Sequence, residues 1–257
     1  MPSTTPFPQS ISMVLPAFNE EENIVEAARQ CLEFATKRFA SAEVIVVDDG
    51  SKDDTAKVVT ELARDWPQLK LISFPHNRGY GAAIAEGFRA ATGELVFFTD
   101  ADLQFDVREL ADLVPLLENA DAVMGFRVYR YDSVLRCILS WTYNRIVRVL
   151  FRVKVRDVDC SFKLFSRKVV DQLHLESTDF FIDTEMVART RRLGFRIVEK
   201  GVRHYPRKHG HTTVRASHIP KTLWTVARMW WRIQFGRVAR PAPTSQANRA
   251  NQANSAR

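Results

Sequence analysis

Leu95-Val96-Phe97-Phe98-Thr99 reads as a strand with no polar face, and it runs straight into two carboxylates one residue apart, Asp100 and Asp102. A strand apolar at consecutive positions is buried on both sides, the condition of a parallel sheet covered by helices. In such sheets ligands bind beyond the carboxyl ends of the strands, so the two acids stand where a fold of this kind does its chemistry. Hard oxygen ligands there suit a divalent cation carrying a phosphorylated substrate.

Three earlier segments repeat the order strand, polar loop, helix. Residues 11–16 form a strand that Pro16 closes, and Asn19 in the following loop is placed to cap a helix carrying Ile24, Ala27, Ala28, Cys31 and Leu32. Residues 44–47 are a β-branched strand ending on Asp48-Asp49-Gly50-Ser51, with a helix over 56–63. Residues 69–74 lead through Asn77-Arg78-Gly79-Tyr80-Gly81 to a helix over 82–91, and the two glycines would let the backbone approach a ligand. After the opening strand, Val107, Leu110, Leu113, Val114 and Leu117 predict a further helix. Four βα units predict an α/β fold, a Rossmann-like, doubly wound, mostly parallel sheet with helices on both faces.

Beyond a fifth strand, 122–126, that ends on Arg127, the pattern changes. Residues 133–156 read as one long helix, 157–167 as a loop and short strand, and 181–193 as a helix stopped by Gly194. A last strand over 195–199 precedes the basic loop 205–213, which holds Arg207 and Lys208. An amphipathic C-terminal helix over 216–238 mixes Trp224, Trp230 and Trp231 with Lys221, Arg228 and Arg232, and residues 1–9 and 239–257 read as a disordered leader and tail.

A hydrophobic content of 46% excludes disorder as the main state, and 37 Lys+Arg against 30 Asp+Glu favours phosphates or an anionic surface without choosing between them. Cys31, Cys137 and Cys160 have no paired spacing, so neither a disulfide framework nor a zinc site is expected and a reducing compartment is. The first ten residues lack a basic start and apolar run, so no signal peptide is expected, and no window is apolar enough to span a bilayer.

Glu20, Asp48, Asp49, Asp100 and Asp102 fall at one sheet edge with Gly79 and Gly81, and such a cluster needs cations or hydrogen-bond donors to balance it. The set Pro16-Ala17-Phe18-Asn19-Glu20-Glu21, Asp48-Asp49-Gly50-Ser51, Asn77-Arg78-Gly79 and Asp100-Ala101-Asp102-Leu103-Gln104 resembles the family 2 glycosyltransferases of GT-A fold, and within them the polyprenyl-phosphate branch. The resemblance covers about residues 10–215 and rests on four motifs in the family's order. It divides the chain into a nucleotide-sugar half, 10–127, and an acceptor half, 128–215.

The resemblance implies that Pro16, Ala17, Asn19, Glu20, Asp48, Asp49 and Gly79 hold the nucleotide, and that Asp100 orients the ribose or donor sugar. Asp102, a catalytic residue in this reading, and Gln104 would ligate Mg²⁺ or Mn²⁺ on the donor diphosphate, while Arg127, also catalytic, with Lys163, Arg207 and Lys208 would meet the acceptor phosphate and the donor diphosphate. Asp183 is a possible catalytic residue, though Asp183 and Glu185 also read simply as acids favoring a helix N-terminus. The chain departs from the family where Phe126 precedes Arg127, where Ser161 replaces a frequent glycine, and where Lys163 replaces a frequent arginine.

The implied reaction is inverting, metal-dependent transfer of a hexose, glucose or mannose, from a nucleotide diphosphate sugar to a polyprenyl phosphate. Alternatives are a sugar or protein hydroxyl acceptor, with Asp183 or Glu185 as base, and a non-catalytic nucleotide-sugar-binding membrane scaffold. The expected location is cytoplasmic and peripheral, on the cytosolic face of a membrane surface, with peripheral attachment or a membrane-protein partner replacing a spanning anchor; the expected protein partner is that membrane protein or a homo-oligomer. The basic residues carry no nucleic-acid reader motif, so no nucleic-acid partner is expected.

Overall fold

The computed structural model describes residues 6–128, 134–207, 226 and 228–232. Its strands are β1 (Phe7–Ala17), β2 (Phe39–Asp48), β3 (Leu69–Ser73), β4 (Leu95–Thr99), β5 (Ala122–Arg127), β6 (Phe162–Ser166) and β7 (Ile197–Val202). Its helices are α1 (Ile24–Arg38), α2 (Thr55–Asp65), α3 (Tyr80–Ala90), α4 (Val134–Leu150), α5 (Arg167–Val170) and α6 (Ile182–Arg192). One sheet holds all these strands in the order β3-β2-β1-β4-β6-β5-β7, parallel except for β6, which runs antiparallel between β4 and β5.

Consecutive apolar residues in each inner strand serve opposite faces. Met13, Leu15, Val44, Val46 and Phe97 pack towards α1, whereas Val14, Ile45, Val47, Val96 and Phe98 pack towards α3 and α6. The expected two-sided burial is therefore present, and it aligns the carboxyl ends of β1, β2 and β4 at one edge. At the opposite edge Glu43 is buried and accepts hydrogen bonds from Ser12 Oγ (2.5 Å), the Thr92 N–H (2.7 Å) and Thr92 Oγ1 (2.8 Å), with Lys70 Nζ at 2.5 Å.

Several boundaries differ from those read in the sequence. β1 begins at Phe7, inside the expected leader, because Phe7 pairs with Phe39 and the two rings stack 5.1 Å apart. Pro16 lies within β1 rather than closing it; pairing with β4 ends at Val14, so the ladder on that side is already finished. Asn19 does not cap α1, because a turn from Glu20 to Asn23 intervenes. The helix expected from Val107 is two 3₁₀ pieces, Val107–Asp112 and Val114–Glu118, since Pro115 has no N–H for an α-helical ladder. α4 stops at Leu150, and Arg152 at φ 53° turns the chain away, so the long helix does not reach residue 156.

In the expected C-terminal helix, residues 226 and 228–232 are helical, and Trp230 Nε1 donates to the Leu150 carbonyl (2.8 Å). Residues 1–5, residues 208–213 of the basic loop including Lys208, and the tail 239–257 lie outside the described residues. Among the described residues no helix is long and apolar enough to cross a membrane.

Candidate active site

The loops beyond β1 and β2 are stitched to each other. Asn19 adopts a left-handed conformation, φ 55°, which asparagine tolerates. There its N–H donates to Ser51 Oγ (2.9 Å) and its Oδ1 accepts from the Lys52 N–H (2.8 Å). The Glu20 N–H donates to Thr55 Oγ1 (2.9 Å), Asp48 Oδ1 accepts from the Ser51 N–H (3.0 Å), and the Asp49 N–H donates to the Ala17 carbonyl (2.9 Å). Pro16, Ala17, Asn19, Glu20 and Asp48 thus share one braced frame.

Asp49 holds the third loop, accepting from the N–H groups of Arg78 (2.7 Å) and Gly79 (2.9 Å), while burial raises its pKa. Gly79 stands at φ 102°, and a Cβ there would lie 2.2 Å from the Thr178 carbonyl oxygen. A Cβ on Gly81 would lie 2.3 Å from the Ser177 carbonyl oxygen, and the Gly81 N–H donates to Thr178 O (3.0 Å). These glycines make room for the chain's own segment 177–179, which corrects the expectation that they open the backbone to a ligand.

At the end of β4, Asp100 accepts from Tyr80 OH at Oδ1 (2.8 Å) and from Ser161 Oγ at Oδ2 (2.5 Å). Burial, and then the charge of Asp102, push Asp100 up to about 7 in spite of these bonds. Burial raises Asp102 as well; its Oδ1 accepts from the Gln104 N–H (3.2 Å) across Leu103, which is itself left-handed at φ 60°. Gln104 Nε2 donates to the Tyr205 carbonyl (3.0 Å), and the Tyr205 N–H returns a bond to Gln104 O (2.8 Å). That pairing lays the segment after β7 across the acidic loop, where Arg207 pairs with Glu20 and draws the Asp102 pKa down.

Among the described residues no three His, Cys, Asp or Glu side chains converge as a metal cage. Asp102 and Gln104 on one turn fit instead an ion that takes a single carboxylate and fills its shell with substrate phosphates and water, the usual habit of Mg²⁺.

Lys163 and Asp183 are buried behind this edge, and, after burial and Asp102, the Asp183 charge contributes to raising the Asp100 pKa. Lys163 alternates with Phe162 and Leu164 along β6, so its side chain points into the layer under α6, with no exposed surface. There it pairs with Asp183 and donates to the Cys160 carbonyl (2.5 Å). Burial raises the Asp183 pKa, and the neighbouring ammonium opposes it. The pair is internal, so the expectation that Lys163 meets an acceptor phosphate is corrected on grounds of burial.

Arg127 ends β5 and forms a bidentate pair with Asp157 (Nε–Oδ2 2.6 Å, Nη2–Oδ1 2.7 Å). It joins Arg145, Arg148 and Arg156 in an open groove with Trp141 and Asn144, bounded by α4. Arg156 is stacked 4.6 Å over the Phe126 ring, which gives a use to the large residue before Arg127. The loop 157–161 connects groove to acidic pair, with Asp157 at one end and Ser161 at the other. Sequence reading missed Tyr80 and the hydroxyl bond of Ser161. Arg145 and Arg148 lie one turn apart on α4, and their meeting with Arg127 and Arg156 depends on how α4 lies against β5.

The chain matches the description Glycosyl transferase family 2 over residues 12–173. It is 34% identical over 236 residues to Glycosyltransferase AglD of Haloferax volcanii, covering 87% of this chain and 37% of that protein. It is 33% identical to the undecaprenyl-phosphate 4-deoxy-4-formamido-L-arabinose transferase of Pectobacterium atrosepticum, covering 79% and 62%. It is 30% identical to the dolichyl-phosphate beta-glucosyltransferase of Dictyostelium discoideum, covering 75% and 65%. The chain thus spans less than two-thirds of the length of these relatives. In fold it is similar to glucosyl-3-phosphoglycerate synthase from Mycobacterium tuberculosis, solved in complex with Mn²⁺, UDP and phosphoglyceric acid, at a TM-score of 0.62 and 20% identity over 91% of this chain and 80% of that one.

Proposed function

The chain belongs to glycosyl transferase family 2 and has a GT-A fold, and from that premise we propose that it transfers a hexose, glucose or mannose, from UDP-glucose or GDP-mannose to a polyprenyl phosphate with inversion. The observation that carries this reading is the arginine groove of Arg127, Arg145, Arg148 and Arg156, joined by the loop 157–161 to the acidic pair at the end of β4. A phosphate monoester oxygen is largely ionised near pH 7 and attacks without a general base. This agrees with Asp183 being spent on an internal ion pair. Relatives named for undecaprenyl-phosphate and dolichyl-phosphate transfer support the same acceptor class.

In this reading the frame around Pro16, Ala17, Asn19, Glu20 and Asp48 receives the nucleoside, and Asp49 and Gly79 keep its third loop in place. Asp102 and Gln104 would hold Mg²⁺ or Mn²⁺, which neutralises charge on the departing nucleoside diphosphate. Arg207 adds a cation on the same side, and Lys208, which lies outside the described residues, is a further acceptor-phosphate contact in this proposal. Asp100 orients the ribose or donor sugar, and the groove delivers the acceptor oxygen to the anomeric carbon in a single displacement.

The approach would be from a membrane surface on the cytosolic side. Trp141, beside Arg145 and Arg148, is 69% exposed, Trp231 is 63% exposed, and the bond from Trp230 to the Leu150 carbonyl seats the segment 228–232 against the end of α4. An exposed indole ring beside basic residues, as at Trp141, Arg145 and Arg148, suits the headgroup level of an anionic bilayer. The test is incubation with labelled UDP-glucose or GDP-mannose, Mn²⁺ and a short-chain polyprenyl phosphate. Lipid-linked sugar should form with the wild type and not with Asp102→Ala; absence of lipid product from the wild type with either donor overturns the reading.

A further inference from the structure

We propose that Ser161 is a positioning residue for the transfer, its hydroxyl fixing the Asp100 carboxylate in the orientation that meets the donor. The inference rests on the glycosyltransferase reading above. β6 runs antiparallel to β4 with Phe162 opposite Thr99, so continuing the register sets Ser161 opposite Asp100. Residues opposed across such a ladder have Cβ atoms about 5 Å apart, within reach of a hydroxyl-to-carboxylate bond.

Ser161 is 4% exposed, and its Oγ donates to Asp100 Oδ2 at 2.5 Å. The other oxygen accepts from Tyr80 OH at 2.8 Å. A carboxylate held at one oxygen can still swing about its terminal torsion, which has a broad well. Held at both, it keeps one plane, and each oxygen retains a lone pair for a substrate hydroxyl. The two hydroxyls arrive from separate supports. Tyr80 is packed against Phe180 with centroids 5.1 Å apart. Ser161 sits on a loop anchored by the Asp157–Arg127 pair and by the Lys163 bond to the Cys160 carbonyl. Alanine at 161 removes one support while the Tyr80 hydroxyl keeps the other.

The experiment compares wild type, Ser161→Ala, Asp100→Asn and the double variant, each as the full chain. The readouts are turnover of whichever of UDP-glucose and GDP-mannose the wild type uses, with Mn²⁺ and a short-chain polyprenyl phosphate, and calorimetric affinity for that donor. Ser161→Ala should lower kcat about tenfold to a hundredfold, the effect of losing one hydrogen bond to a charged group, with acceptor KM unchanged and the thermal midpoint lowered by only a few degrees, as expected for one buried bond. In the Asp100→Asn background the same substitution should change neither turnover nor donor affinity further. Wild-type rates in Ser161→Ala, or an equal loss in both backgrounds, overturns the positioning role while leaving the enzyme reading in place. An inactive wild type overturns both.

Discussion

Lys163→Met tests whether the buried ammonium serves the fold or the substrate. Lys163 is fully buried and the Asp183 side chain is 6% exposed, so removing the ammonium strands a carboxylate among Asp157 and Asp159. The carboxylate escapes by taking a proton. Neutralising an aspartate with an ordinary pKa of about 3.9 at pH 7 costs about 4 kcal/mol, at about 1.4 kcal/mol per pH unit. That ceiling falls within the range of about 3–5 kcal/mol seen when one partner of a buried pair is deleted. For a chain of this size the loss corresponds to a thermal midpoint lower by about 8–16 °C.

The sign of the pH dependence follows. In the variant the folded-state pKa of Asp183 lies above its unfolded value, so the folded chain binds the extra proton and the deficit grows as pH rises above about 4. At pH 5.5 the loss should therefore be about half that at pH 7. Lys163→Met/Asp183→Asn, which has no charge left to bury, should recover most of the midpoint at both pH values and most of the turnover. Thermal unfolding followed by circular dichroism, with lipid-product assays beside it, checks each point. A Lys163→Met chain that melts like wild type at pH 7 yet is inactive, and is not rescued by Asp183→Asn, would refute the internal role and return the ammonium to the substrate.

Glu43 gives the chain an acid limb of stability. Burial alone would raise its pKa, but the bonds from Lys70, Ser12 and Thr92 outweigh it and hold Glu43 at about 2, so its contribution is complete above about pH 4.5 and disappears as pH falls to about 2. Glu43→Gln should flatten that part of a midpoint-against-pH curve; an unchanged acid slope contradicts it. Gly79→Ala places a Cβ on the Thr178 carbonyl at a positive φ, and should weaken calorimetric donor affinity at least tenfold while costing about 2 kcal/mol of stability. Arg145→Glu with Arg148→Glu should raise the KM for a short-chain polyprenyl phosphate about tenfold or more and leave donor KM unchanged; equal effects on both substrates would remove the groove from the acceptor path.

The parallel core was legible because strands buried on both faces announce themselves: Val44-Ile45-Val46-Val47 and Leu95-Val96-Phe97-Phe98 permit little else. The acids that follow them were legible for the same reason. Local chemistry that depends on a distant neighbour was not. Gly79 and Gly81 look like a ligand cradle in isolation, and only the return of segment 177–179 reveals what fills the space. Asn19 carries every property of a helix cap, yet Lys52, thirty-three residues on, takes its side-chain oxygen. Pro115 was a local warning against a helix over 107–118, and it prevailed over the apolar spacing.

Lys163 shows the limit most clearly, because its strand gives the direction but not the setting. Alternation along Phe162-Lys163-Leu164-Phe165 puts Lys163 and Phe165 on one face; that this face is interior depends on β6 entering the sheet between β4 and β5. The same insertion explains how the site is assembled. β4 and β5 run parallel, so Asp100 and Arg127 leave the sheet at one edge. An antiparallel β6 between them must begin at that edge, and the loop 157–161 leading into it therefore stands between the two, with Asp157 on Arg127 and Ser161 on Asp100. A parallel strand in that position would have started at the far edge, beside Glu94, and left the acidic pair and the arginine groove unconnected. Among the described strands β6 alone is reversed, and in the proposed reading that reversal is what would bring donor and acceptor within reach of each other.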